Sequence, residues 1–78
     1  MASDIDRIVS LICETGAIET VREDEDFYEA GFSSVNALSL LLELETAFGV
    51  SIPDDKFIEA RTPHALGLMI VDLQKGSQ

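Results

Sequence analysis

A small all-α bundle, with three main helices, one short helix and a long loop between the first two, is the fold class this sequence predicts. Three observations predict it. Apolar residues recur at i, i+3, i+4 and i+7 in three stretches: Ile5, Ile8, Val9 and Ile12; Ala37, Leu40, Leu41 and Leu44; Leu66, Met69, Ile70 and Leu73. That spacing lines one face of an α-helix. Start and stop residues bracket the stretches, with Gly16 and Gly49 after the first two and Thr62-Pro63 before the third. Finally, 78 residues make one domain, and a chain this short buries only roughly 60% of the surface its unfolded form exposes. Its core has to be compact and locally wired, as in a bundle.

The first helix is expected from about Asp4 to Thr15. Ser3 followed by Asp6 resembles a capping box with a shorter acid, and Gly16 supplies the stop. Ala17 to Ser33 has no helical period. About seventeen residues of loop is long for so small a domain, and loops of that length tend to be functional or disordered. Val21, Phe27, Tyr28 and Phe32 argue against disorder and read as anchors laying the loop across a helical core. Ser34 to Phe48 is the strongest helix, with Ser33 or Ser34 as cap and Gly49 at the C′ position. At 100° per residue, Ala37, Leu40, Leu41, Leu44, Ala47 and Phe48 form its core face. Val35, Leu38 and Leu42 form a second stripe, between Glu45 and Ser39. Leu38 is expected under the long loop, and Val35 and Leu42 are expected to contact a partner. Asp54 to about Ala60 is a short helical piece. Thr62 caps a last helix that has Pro63 at its first position and runs to about Leu73, leaving residues 75–78 as a frayed tail. The expected core includes Ile8, Ile12, Leu40, Leu44, Phe48 and Leu66.

Charge and cysteine content exclude several function classes. Fifteen Asp and Glu against five Lys and Arg give a formal charge of −10. That sign repels phosphate backbones and anionic lipid, so neither nucleic acid nor a membrane surface is expected as a partner. Cys13 is the only cysteine, which rules out an internal disulfide and a thiolate metal cluster and points to a reducing, cytoplasmic setting. No apolar run approaches the ~20 residues of a membrane span, and residues 1–12 lack the basic start of a signal peptide. Asp24 and Asp26 match the first two positions of a calcium-binding loop. The pattern then fails, with Glu29 where glycine is needed and Val35 where the closing glutamate belongs. His64 reads as a surface histidine and Cys13 as a packed or half-exposed thiol.

Gly31-Phe32-Ser33-Ser34-Val35 is the segment most able to carry chemistry. A glycine lets the chain turn sharply, and a serine then opens a helix. Its hydroxyl is exposed beside the positive end of the helix dipole, where an attached phosphodiester is favoured. Helix capping alone also accounts for two serines here.

The segments Asp26-Phe27-Tyr28-Glu29-Ala30-Gly31-Phe32-Ser33-Ser34-Val35, Leu44-Glu45-Thr46-Ala47-Phe48-Gly49-Val50 and Ile52-Pro53-Asp54 together resemble the acyl and peptidyl carrier proteins, over essentially the whole chain. In that family a Gly-x-Asp-Ser-hydrophobe motif opens the second helix, and its serine carries 4′-phosphopantetheine. The resemblance aligns Gly31 with the glycine, Ser34 with the modified serine and Val35 with the hydrophobe. Ser33 replaces the usual aspartate. Fatty-acid carriers also show several acids along the exposed face of this helix, where this chain has Asn36, Ser39, Leu42 and Glu43.

The resemblance implies a non-catalytic, monomeric carrier. A phosphopantetheinyl transferase would load it with an arm from coenzyme A. Adenylating or acyl-transferring enzymes would then charge the arm, and downstream biosynthetic enzymes would unload it. Some free-standing carriers of amino acids share the Gly-x-Ser-Ser start, which makes an aminoacyl cargo a second-level expectation. The face Val35, Asn36, Ser39 and Leu42 is the expected partner surface. The Met1 start and the lack of linker composition favour a stand-alone protein, with residues 1–78 as a single carrier domain. The rival reading is a protein-interaction module that docks a partner helix on Val35 and Leu42 without any prosthetic group.

Overall fold

The computed structural model describes residues 4–76. Helix α1 spans Asp4–Gly16, α2 spans Ala37–Phe48 after a 3₁₀ turn at Ser34–Asn36, α3 spans Asp54–Glu59 and α4 spans Pro63–Gly76. The expected all-α bundle is what forms, with α1 packed against both α2 and α4. No strand occurs among the described residues. The cap expected at Ser3 lies outside the described residues, as do positions 77 and 78 of the expected frayed tail.

Helix α1 buries Ile8 and Ile12 on one face, as its spacing requires. The stop expected at Gly16 falls one residue later. Gly16 stays helical, and Ala17 takes the left-handed position at φ 54°. The Ile18 N–H then donates to the Cys13 carbonyl at 3.1 Å, closing a Schellman turn. Contact, not backbone twist, explains the glycine: a Cβ at Gly16 would stand 2.5 Å from Phe32 Cδ2.

The long loop is anchored as its aromatics foretell. Val21, Phe27 and Phe32 are buried in the core, and the Phe27 and Phe32 rings meet edge-on with centroids 5.3 Å apart. Burying such side chains stabilises by about 1.5–3 kcal/mol each, which offsets part of the entropy lost in ordering the loop. Backbone bonds tie it to the α3–α4 corner. The Phe27 N–H donates to the Arg61 carbonyl at 3.0 Å, and the His64 N–H donates to the Glu23 carbonyl at 2.8 Å.

Helix α2 turns Leu40, Leu41 and Leu44 inward. Gly49 ends it at φ 65°, and both the Gly49 and Val50 N–H groups donate to the Glu45 carbonyl. Two expectations need correction. Leu38 is not under the loop but 65% exposed. The loop meets α2 on the side of Ala37, which shares a groove with Tyr28 and Phe32, and Leu38 lies one residue's rotation further out. Phe48 is half-buried rather than core, and the Arg7 guanidinium lies 4.7 Å from its ring centre.

Helix α3 contributes Phe57 to the core. Glu45 Oε2 accepts the Ile52 N–H at 2.8 Å, fastening the α2–α3 connection. Thr62 caps α4 as expected, its Oγ1 accepting the Ala65 N–H at 3.0 Å, and Leu66 and Ile70 close the core. The helix runs three residues past Leu73, to Gly76. Gln74 Nε2 donates to the Phe48 carbonyl at 3.4 Å and holds this last turn against the end of α2.

Candidate functional site

Gly31 sets the site's geometry. Its φ of +117° is open to glycine and strained for other residues. The turn it completes brings the Phe32 N–H to the Phe27 carbonyl at 2.9 Å. Phe32 is thereby driven into the core, and the chain surfaces at Ser33. Ser33 is extended, with φ −79° and ψ 136°. Its Oγ accepts the Val35 N–H at 3.4 Å and its carbonyl accepts the Asn36 N–H at 3.0 Å, so Ser33 is the cap. Ser34 opens the 3₁₀ turn, and its carbonyl accepts the Ala37 N–H. The Ser34 side chain is exposed, and its hydroxyl has no hydrogen-bond partner among the described residues. Two adjacent serines thus differ in state: one hydroxyl is engaged in capping and the other is free.

An open groove of about 450 Å³ runs beside Ser34, lined by Tyr28, Phe32, Ser34, Ala37, Ile58 and Arg61. Its far side is braced. Arg61 Nε donates to Asp26 Oδ2 at 2.7 Å, and the guanidinium lies 4.6 Å from the centre of the Tyr28 ring. Asp26 Oδ1 accepts the Tyr28 N–H at 2.9 Å and the Glu29 N–H at 3.2 Å. The hydrogen bond from Arg61 is the main reason the Asp26 carboxyl is held below the usual carboxylate range, and the Glu29 and Tyr28 N–H groups act in the same direction. Burial pushes the Tyr28 hydroxyl up.

The residues singled out in the sequence follow Ser34 along the 3₁₀ turn and α2, and none of them lines this groove. Val35 is 84% exposed and Leu42 53%; Ser39 is exposed and Asn36 half-buried. Leu38 completes their stripe, and Ile58 of α3, 65% exposed, lines the groove beside Ser34. Sequence reasoning placed Leu38 on this stripe by its i, i+3, i+7 relation to Val35 and Leu42 but missed that it stays exposed. It missed Ile58 and Arg61 as well, because only the tertiary fold brings α3 and its exit beside Ser34.

Other candidates stay apart. His64 is exposed on the first turn of α4 and makes no hydrogen bond to Ser34. Cys13 is half-buried, and burial raises its thiol pKa. No cluster of His, Cys, Asp and Glu suited to a metal occurs among the described residues, and no helix there is long and apolar enough to cross a membrane.

The family model described as a phosphopantetheine attachment site matches residues 6–70. No curated protein matches the chain. The surroundings of Ser34 fit such a group, since an unengaged hydroxyl sits at the positive end of a helical segment with an open groove alongside. With most of its length matched, the chain belongs to the phosphopantetheine attachment-site family of carrier domains, which are generally not catalysts themselves, and its prosthetic group is covalently attached 4′-phosphopantetheine.

Proposed function

We propose that this chain is a non-catalytic carrier whose arm is attached to Ser34. The observation that carries the assignment is the contrast between the two serines. Ser33 Oγ accepts a backbone N–H as the cap, whereas the Ser34 hydroxyl is exposed and unengaged in the motif register set by Gly31 and Val35. Ser34 Oγ is then the acceptor oxygen for the transferase. It is hydrogen-bonded to no histidine, carboxylate or amine among the described residues, so we assign the base that takes its proton to the transferase. The bound arm supplies a terminal thiol that holds an acyl or aminoacyl group as a thioester.

Partner enzymes, both loading (adenylating or acyl-transferring) and downstream, read the face made by Val35, Asn36, Ser39 and Leu42, joined by Leu38. Its exposed apolar residues support recognition by shape and apolar contact more than by charge. The neutral Ser33 and the uncharged stripe support a dedicated biosynthetic pathway, with an aminoacyl cargo as the finer assignment. The fold needs no disulfide, which supports a reducing cytoplasmic setting, and the carrier works as a monomer.

Incubation with coenzyme A and a broad-specificity transferase tests the site. The intact mass should rise by one phosphopantetheinyl group, with fragment masses placing it on Ser34. Ser34→Ala should abolish the gain and Ser33→Ala should retain it. An arm on Ser33, or full modification of Ser34→Ala, overturns the assignment.

A further inference from the structure

Helix α4 packs closely on α1 and not on α3, and the gap between α3 and α4 is a second groove. It holds about 300 Å³ and is lined by Lys56, Glu59, Ala60, Ala65, Met69 and Asp72. Ala60 is buried and Ala65 and Met69 are half-buried, so the floor is apolar and the rim charged. The two alanines leave the space open, and the unbranched thioether chain of Met69 repacks readily around a guest. Leu68, 60% exposed, stands three residues after Ala65 and four before Asp72 on α4. That spacing puts it on the same side of the helix and prolongs the groove's apolar surface beyond the rim. Val71, 40% exposed, carries that surface a further turn.

The rim charges are unspent. Lys56 and Glu59 lie three apart on one helix, a spacing at which opposite charges can pair. No hydrogen bond or ion pair joins either side chain, or that of Asp72, to another described residue. Two carboxylates and one ammonium around an apolar floor, on a chain of formal charge −10, set the chemistry of the guest. It has an apolar edge to fill the groove and a cationic flank for Glu59 and Asp72. From Ala65 to Asp72 the α4 wall is about two turns, or roughly 10 Å, long. That length matches the i, i+4, i+7 edge of an amphipathic helix. A second copy of this chain does not suit, because it brings the same large negative charge to the contact.

We propose that the α3–α4 groove is a tethering site for a basic amphipathic helix of a partner protein. Leu68 and Met69 meet the apolar edge of that helix, and Glu59 and Asp72 meet its Lys or Arg. The groove shares no lining residue with the groove beside Ser34 or with the outer stripe of α2. A domain held there therefore leaves both uncovered, so one protein can retain it while another works at the opposite surface. The proposal stands on the groove and not on the Ser34 assignment.

The probe is a stapled helical peptide of about fifteen residues, with leucines at i, i+4 and i+7 and lysines on either side of them. It is titrated into the full chain while amide and methyl resonances are followed. Resonances of Ala60, Leu68 and Met69 should move, and those of Val35 and Leu42 should not. Glutamates in place of the peptide's lysines should abolish binding, and added salt should weaken it. Leu68→Ser and Asp72→Lys, both at exposed positions with little folding risk, should each weaken binding about tenfold. Both variants should accept the arm from the transferase as the wild type does. No movement at the groove, movement confined to Val35 and Leu42, or equal binding of the glutamate peptide overturns the tether. So does a dimer of the free chain, seen by sedimentation, that Leu68→Ser dissolves, since the occupant is then a second copy. Loss of arm attachment in Leu68→Ser overturns it too, by placing the groove in the transferase contact. An arm found on Ser33 overturns the Ser34 assignment and leaves the tether standing.

Discussion

Helix α2 carries two leucine stripes of the same chemistry and opposite fate. Leu40, Leu41 and Leu44 are buried against α1 and the loop aromatics, whereas Leu38 and Leu42, with Val35 just upstream, are open to water. Hydrophobicity does not distinguish them. Position around the helix does, because the loop and α3 cover only the Ala37 side. The inner stripe is part of folding, and the outer one is surplus to it. An apolar stripe that the fold leaves uncovered, beginning beside Ser34, is the surface proposed above for partner contact, since covering it would not disturb the bundle.

The sharpest way to break that comparison is to truncate one leucine from each stripe. Leu44→Ala should cost about 2–5 kcal/mol, a large part of the stability of so small a domain. Leu42→Ala should stay within about 0.5 kcal/mol. Equal losses in a denaturant titration would erase the distinction. Phe48 lies at the edge of the inner face and is half-buried, with Arg7 against its ring. Phe48→Ala should therefore fall between the two, at roughly 2 kcal/mol, instead of the roughly 3–5 kcal/mol of a fully buried aromatic.

Loading assays sharpen the outer half. Leu38→Asp and Leu42→Asp should each slow charging of the holo protein about tenfold, the equivalent of ~1.4 kcal/mol, with the circular dichroism spectrum unchanged. Salt should matter only moderately, since exposed charges are screened beyond about 8 Å at physiological ionic strength. Normal charging of both variants, together with a strongly salt-dependent loss on neutralising Glu23 and Asp24, would move recognition to the acidic loop.

The smallest effect concerns what keeps the inner stripe covered. The folded-state pKa of Asp26 is depressed, so its contribution to stability is present above the unfolded value of about 4 and is lost as pH falls through the lower folded value. The Tm difference between wild type and Asp26→Asn should be constant near neutrality and shrink below about pH 4. A difference that grows on acidification would mean that the carboxylate is not what fastens the loop to Arg61.

Helix existence was legible because three apolar periods and their caps agree on it. Thr62-Pro63 and Gly49 do in the structure what their chemistry implies. The buried loop aromatics were legible for a similar reason, since Phe27 and Phe32 have no stable place in water. What escaped were the facts set by one segment's position relative to another. Leu38 looks bury-able until the loop is seen to cross α2 on the Ala37 side. Phe48 looks like core until Arg7 takes its ring face. Arg61 is a bare cation in the sequence, and only the fold sets it across a groove from Ser34.

Residues 16 and 17 stand in an order that a stability engineer would reverse. The left-handed position costs an alanine about 1–2 kcal/mol relative to what glycine tolerates, whereas the helical position just before it would ordinarily favour alanine. The domain keeps the reverse arrangement because the space above residue 16 belongs to the Phe32 ring, two positions ahead of Ser34. The end of the first helix thus works as a gauge block that sets the depth at which the chain enters the second. Ala17→Gly is a free adjustment, while any side chain at residue 16 has to shift the ring that seats the serine.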